Sequence, residues 1–513
     1  MGSAYGPGFL IRVASVQACS VASRVRGFRC VCSVLLMTSG AAFLMLDATS
    51  CAKHRLEGGL SKLKPCRLDG IKEELFCGKL TVFENRQTRT GRTIDLNVVV
   101  LPALDRKAKV EPLFDLAGGP GVASTGAAMF YAREGKEYHR RHDVVCVDQR
   151  GTGKSNRLAI EREKTPQYYL SEMYPVDYVR EMRHALEQRA DLTKYTTSIA
   201  MDDLDDVRSW LGYDRINLLG GSYGTRAVQV YMRQHPEHVR SAILVAVAPT
   251  DLKMPSHHSE SAARAMNLLL GECEQDIACH AAFPQIRDDW KSVLAQLEKQ
   301  PARVEYSPPG KAAPTTVEIQ RDIFAEKIRS WMYGRDKAAR IPLIVHHAAE
   351  GDFAPFLKEA IRPSIPDFVA DGMYLSVTCA EDVPFINQEE TARLNAGNPF
   401  RNYRVFQQTR ACGMWPRGEI PAGFLDPVSS DAPVLIFSGN MDPVTQPKYG
   451  EEVAKHLPNS RHVIIPEGAH DVDGLTDLGC IDRIALEFLE RGDAKDLDVS
   501  CVERMKPPPF ATK

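Results

Sequence analysis

Ile216-Asn217-Leu218-Leu219-Gly220-Gly221-Ser222-Tyr223-Gly224-Thr225-Arg226-Ala227 decides the fold. It reads as a short apolar strand, a turn with one serine among glycines, and the start of a helix. Gly-x-Ser-x-Gly is common by chance; the strand before it and the helix after it make it specific. Such a turn forces its central residue into a strained backbone, and Gly220 and Gly224 clear room for strand and helix to pass closely. The Ser222 hydroxyl then projects above a sheet at a helix N-terminus, where a nucleophile sits.

Outward from this stretch, further apolar runs end in Gly-rich or Asp-bearing turns. They are Ile94–Leu101, Pro112–Leu116, Val144–Val147, Ala242–Val247, Pro433–Phe437 and His462–Ile465. Short runs rich in Val, Ile and Leu predict strands buried on both faces of a mostly parallel sheet. Helical segments separate several of them. In Met201–Leu211, Leu204, Val207 and Leu211 form an apolar stripe, and Asp202, Asp203, Asp205 and Asp206 read as first-turn carboxylates that complement the helix dipole. The alternation predicts an α/β protein with a doubly wound sheet. It breaks between residues 249 and 427, where Ser259–Glu272, Asp288–Leu297 and Ile323–Tyr333 carry helical spacing. We read 249–427 as a large, mainly helical lid inserted between core strands, with 51–248 and 428–513 as the two parts of one core. A separate downstream domain is the alternative; against it, strands resume after Pro433.

A serine nucleophile needs a base, and the base needs an orienting carboxylate. In this strand–turn–helix context the chain order is Ser, then Asp or Glu, then His. Asp442 follows the Pro433–Phe437 strand, and His470 follows the His462–Ile465 strand. Glu467, Asp471 and Asp473 are spare carboxylates too near His470 in sequence to be first choice. His462, inside a strand, reads as structural. Two backbone N–H groups must hold the oxyanion. Tyr223, the residue after the nucleophile, supplies one. Ala117-Gly118-Gly119-Pro120-Gly121 follows an early strand and supplies the other, from Gly119 or, as second choice, Gly118. Gly153-Lys154-Ser155 suggests a nucleotide loop, but that motif needs a glycine where Asp148 stands. A rigid turn in which Asp148 and Arg150 tie neighbouring loops is the better reading.

The 513 residues carry a net charge of −2, which excludes a bulk basic footprint for nucleic acid. Arg24, Arg26 and Arg29 precede an apolar run from Cys30 to Leu46, then small residues through Ala52. This is the build of an export signal, and residues 1–50 are expected to be a leader. An uncleaved anchor, or a lipid on Cys51, is the tethered alternative. Of the 13 cysteines, Cys19, Cys30 and Cys32 lie in the leader and Cys51 at its edge; eight of the other nine fall into sequence-local pairs: Cys66 with Cys77, Cys273 with Cys279, Cys379 with Cys412, and Cys480 with Cys501. An oxidising compartment suits such a set, although spacing does not determine connectivity. Cys146 remains as a core thiol. With no Cys-x-x-Cys pair and no His-Glu-x-x-His, no metal site is expected.

Gly118-Gly-Pro-Gly121, Asp148-Gln-Arg-Gly-Thr-Gly-Lys-Ser155 and Gly220-Gly-Ser-Tyr-Gly-Thr-Arg226 occur in this order in proline iminopeptidases and secreted tripeptidyl aminopeptidases, which the chain resembles. Those are α/β-hydrolase serine peptidases. Cys379-Ala-Glu-Asp382 and the Asp442 and His470 loops resemble the C-terminal part of the tripeptidyl aminopeptidase branch. The resemblance implies an α/β-hydrolase fold, Ser222, Asp442 and His470 as triad, no cofactor, and a peptide substrate with a free N-terminus. It departs at Ala117, where proline iminopeptidases usually have His, and at Leu244-Val-Ala-Val247, where relatives often read Leu-Asp-Gly-Val. Relatives place acidic lid residues at the substrate amine, which makes Glu381 and Asp382 the candidates here; a structural acidic turn is their alternative. Trp415 and Tyr374 are candidates for an apolar substrate pocket, with lid core as the alternative. The expected function is therefore an exported serine aminopeptidase releasing proline or short tripeptide units. A carboxylesterase on the same triad, or a non-catalytic binding protein on the same scaffold, is the competing expectation.

Overall fold

The computed structural model describes residues 58–108, 110–308, 313–362 and 368–513. The expected leader and Cys51 lie outside them. Among the described residues the strands are β1 (Lys64–Cys66), β2 (Leu75–Phe83), β3 (Thr93–Leu101), β4 (Leu113–Leu116), β5 (Val144–Val147), β6 (Ile216–Gly221), β7 (Val239–Val245), β8 (Ala302–Tyr306), β9 (Thr315–Ile319), β10 (Val434–Gly439) and β11 (Ser460–Ile465). Nine form one sheet in the order β1-β2-β3-β5-β4-β6-β7-β10-β11. β1, β2, β3 and β5 pair antiparallel. From β5 across to β11 every pairing is parallel. The seven strands expected from sequence are all present, as β3 to β7, β10 and β11.

β4, β5, β6 and β10 are buried along their whole length. Successive side chains go to opposite faces, as strand geometry requires. Phe114, Leu116, Leu218, Leu244 and Ile436 join the apolar cluster on one face, while Leu113, Leu219, Ile243, Leu435 and Phe437 join that on the other. Helices Thr197–Leu211 and Tyr223–Gln234 cover the first face, and Gly479–Arg491 covers the second.

One sequence expectation is corrected here. The helix carrying Met201–Leu211 begins at Thr197, so its aspartates lie beyond the first turn. They make lateral ion pairs instead of complementing the dipole: Asp203 with Arg150 and Arg86, Asp205 with Arg208.

Between β7 and β10 the described chain is mainly helical, with one antiparallel pair, β8–β9. Helices His258–Gln275, Ile286–Lys299, Arg321–Trp331 and Ile341–Ala349 surround a third apolar cluster that includes Trp290, Phe324 and Phe356. Met441 and Ala469 also belong to it, so this cluster reaches the loops beyond β10 and β11. The rest of the interval packs differently: Met373, Leu375, Val377, Ala411 and Trp415 join the cluster on the first face of the sheet. Disulfides close as Cys66–Cys77, Cys273–Cys279, Cys379–Cys412 and Cys480–Cys501. Cys146 is free and buried in β5. No helix of the described residues is long and apolar enough to cross a membrane.

Candidate active site

β6 ends at Gly221 and a helix begins at Tyr223, which leaves Ser222 alone at the corner. Its φ of 54° and ψ of −123° are a backbone conformation that L-residues avoid, at a cost of about 1–3 kcal/mol. The corner holds because its neighbours are glycines in close contact. A Cβ on Gly224 would lie 2.1 Å from the Leu116 carbonyl oxygen, and one on Gly220 would lie 2.5 Å from that of Gly224. Hydrogen bonds fasten it further. The Ser222 N–H donates to the Val245 carbonyl at 2.9 Å. The Thr225 hydroxyl donates to the Ser222 carbonyl at 2.6 Å and accepts the Ala248 N–H at 2.8 Å.

The parallel neighbours β10 and β11 carry Asp442 and His470 past the same end of the sheet. His470 Nε2 lies 3.1 Å from Ser222 Oγ, and His470 Nδ1 lies 2.8 Å from Asp442 Oδ2. A carboxylate on Nδ1 favours the tautomer with the proton there, which leaves the Nε2 lone pair facing the serine hydroxyl. Asp442 and His470 are buried, while Ser222 stays partly exposed. Burial alone would push the Asp442 carboxyl up. The adjacent His470, with the Val444 N–H and the Thr445 hydroxyl, outweighs this and holds it below its usual value. Asp442 Oδ1 accepts the N–H groups of Val444 and Thr445 at 2.7 and 2.8 Å, and Oδ2 accepts the Thr445 hydroxyl at 2.8 Å. The carboxylate is thus ionised and fixed in direction. The Tyr333 ring packs edge-on against His470, with centroids 4.6 Å apart. Its carbonyl accepts the Asp471 N–H at 2.9 Å, which ties the interval to the His470 loop.

Ser222, His470 and Asp442 are therefore brought into one hydrogen-bonded line. The Gly118–Gly121 loop follows β4, the strand beside β6. Gly119 has φ 111°, and a Cβ there would stand 2.8 Å from the Gly121 nitrogen. At the start of its helix the Tyr223 N–H has no intrahelical acceptor.

The candidate substrate residues sit elsewhere in the local structure. Glu381 is fully buried and accepts the Thr197 N–H at 2.6 Å and the Thr197 hydroxyl at 2.7 Å. Asp382 is equally buried, 2.8 Å from Arg226, and accepts the Met254 N–H at 3.0 Å. Trp415 donates its indole N–H to Ser376 at 3.1 Å, and Tyr374 donates to Gln408 at 3.2 Å. Asp148 and Arg150 do tie loops together. Asp148 accepts from Asn97, Thr125 and Lys154, and the buried Arg150 reaches Asp203 and the Glu84 and Lys194 carbonyls. His462 bonds Ser438 at 2.9 Å within the sheet. Asp205, His235 and His238 bring three ligand-type atoms within 4.8 Å of one another. The Arg208 guanidinium already neutralises that cluster, 2.6 Å from Asp205 and 3.3 Å from His238.

The family profile described as alpha/beta hydrolase fold matches residues 112–316, and that described as TAP-like protein matches 398–501. The chain is a serine hydrolase with the α/β-hydrolase fold. This hydrolase is 23% identical to the serine protease Hip1 of Mycobacterium tuberculosis over 529 residues, covering 92% of this chain and 98% of that protein. It is 24% identical to the tripeptidyl aminopeptidase of Streptomyces coelicolor over 489 residues, 86% of each chain. Among solved structures it is similar to proline iminopeptidase of Mycobacterium smegmatis, at 16% identity and a TM-score of 0.38, covering 81% of this chain and 99% of that one. The resemblance read from three motifs is borne out.

Sequence reasoning assigned no role to Thr445, Tyr333, Thr197 or Arg226. Thr445 had a signal: a hydroxyl three residues after an aspartate in a turn commonly bonds back to it. The others act across long separations and leave no local mark.

Proposed function

We propose that the hydrolase is an exported serine aminopeptidase that uses Ser222 as nucleophile, His470 as general base and acid, and Asp442 to orient the imidazole. The observation that carries this reading is His470 bridging Ser222 Oγ and Asp442 within hydrogen-bond reach. His470 Nε2 takes the hydroxyl proton as Ser222 attacks the scissile carbonyl. The N–H groups of Tyr223 and Gly119 receive the oxyanion. Imidazolium then protonates the leaving amine, and water, activated by the same histidine, releases the acyl group. In this reading 249–427 is a lid over the core formed by 51–248 and 428–513, supported by β10 rejoining the sheet between β7 and β11. Peptidase names among the relatives support a peptide substrate, and four disulfides support an oxidising, extracytoplasmic setting.

The test is a panel of aminoacyl and tripeptidyl anilides with free and blocked N-termini, beside p-nitrophenyl esters. Cleavage confined to free N-termini among the anilides is expected. Equal cleavage of free and blocked anilides, or of esters alone, would overturn the aminopeptidase reading.

A further inference from the structure

Glu381 and Asp382 lie at the end of the Asp371–Glu381 helix, and they bind Thr197 and Arg226, each near the start of another helix. Thr197 opens the Thr197–Leu211 helix, and its N–H and hydroxyl both donate to Glu381. The Thr197 oxygen is also 2.8 Å from the Tyr223 hydroxyl. Since the Thr197 proton is directed to Glu381, the Tyr223 O–H is the donor to Thr197. The order is Tyr223 O–H to Thr197 O–H to Glu381 carboxylate, with every member buried. One turn further along the elbow helix, Arg226 pairs with Asp382 and donates to the Leu252 carbonyl. The elbow helix is thus fastened at two successive turns to one short segment, 381–382, that the Cys379–Cys412 disulfide secures from behind.

Resting on the reading of the Tyr223 N–H as an oxyanion donor, we infer that Thr197 and Glu381 are positioning residues for that N–H, acting through the tyrosine's own side chain. The ring and the N–H belong to one residue at the first position of a helix. A ring held at its far end by a buried hydroxyl restricts rotation of the peptide plane before it. Oxyanion stabilisation depends on donors being fixed before charge develops, so a small tilt is felt in the transition state more than in substrate binding. The carboxylate is retained at a cost. Burial, opposed by Arg226 and the Thr197 donors, pushes Glu381 up to about 7.

This assignment differs in a measurable way from amine recognition by Glu381. Thr197→Val is expected to lower kcat about tenfold, a fraction of the 10²–10³ seen when an oxyanion donor is removed outright. The loss should be equal on free anilide, blocked anilide and ester for whichever of these the native protein cleaves, with KM within about twofold, and Thr197→Ser should restore it. Glu381→Gln should show the same pattern. A rise in KM confined to substrates with a free amine would overturn the inference, as would wild-type kcat in Thr197→Val. If Thr197→Val fails to fold, Tyr223→Phe cuts the same link while leaving Thr197 on Glu381; unchanged kcat there overturns the inference equally. Ser222→Ala separates the two levels: retained turnover in that variant defeats the site itself, whereas an inactive Ser222→Ala beside a fully active Thr197→Val defeats only the positioning role.

Discussion

Asp442 receives two N–H donors and a hydroxyl besides His470, so its charge and direction are both determined before substrate arrives. Asp442→Asn keeps the shape but presents an amide to Nδ1, which favours the wrong imidazole tautomer. A fall in kcat of about 10⁴ is expected, with Ser222→Ala at least as severe; steady-state rates on the best anilide of the panel check both. A second carboxyl, Asp115, lies buried in β4 against the Tyr131 hydroxyl, 2.7 Å away. Burial pushes it up to about 7, the Tyr131 bond opposing. Between the ordinary carboxylate range and that value the folded chain binds more protons than the unfolded one, so this group's contribution to stability falls as pH rises. Asp115→Asn removes the titration. Its unfolding free energy from urea denaturation should gain on wild type by about 3 kcal/mol from pH 5 to pH 8, and the gap should not depend on pH below about 3. The grouping of Ser222, Asp442 and His470 was legible because each follows its own strand at the same end of the sheet. Thr197 and Arg226 were not, because their partners Glu381 and Asp382 lie 184 and 156 residues away.

At the scale of elements, most strands read correctly were buried on both faces and rich in Val, Ile and Leu; β11, partly exposed, was read from its apolar end alone. β2, β8 and β9 were not anticipated. They are partly exposed and mix polar with apolar residues, so their pairing is decided by neighbours and not by their own apolar content. β1 is only Lys-Pro-Cys and exists because β2 offers it an edge. The helix before β6 starts four residues earlier than its apolar stripe suggests, because Glu381 satisfies the Thr197 N–H from outside. The strand–helix corner, by contrast, declared itself through glycine, and contact distances say why. A methyl group on Gly224 would meet the Leu116 carbonyl at 2.1 Å, backbone against backbone, with no flexible side chain to yield. Gly224→Ala is expected to separate β4 from the elbow helix, costing about 3 kcal/mol or more. Urea denaturation should show the loss, and activity should fall further than stability alone explains, since the Ala117–Gly121 loop leaves β4 at this contact.

For the whole molecule, the interval between β7 and β10 holds the two halves of the candidate site against each other. Its first part shares a cluster with Met441 and Ala469, beside Asp442 and His470; its second part binds Thr197, which contacts the Tyr223 hydroxyl, and Arg226 of the helix that follows Ser222. Cys379–Cys412 joins two helices of that second part across 33 residues, whereas Cys273–Cys279 closes a loop of only 6 within the first. Loop-closure entropy makes the longer link worth about 3.7 kcal/mol and the shorter about 2.2. Replacing the Cys379 and Cys412 pair with alanines should therefore lower the urea midpoint more than replacing Cys273 and Cys279. It should also lower kcat in the fraction that remains folded, because the freed helix carries Glu381. The shorter bridge should cost stability alone. If both pairs proved equal in stability and neither touched kcat, the second part of the interval would be a passive cover, and the link from Cys379 through Glu381 to the nucleophile's neighbour would carry no function.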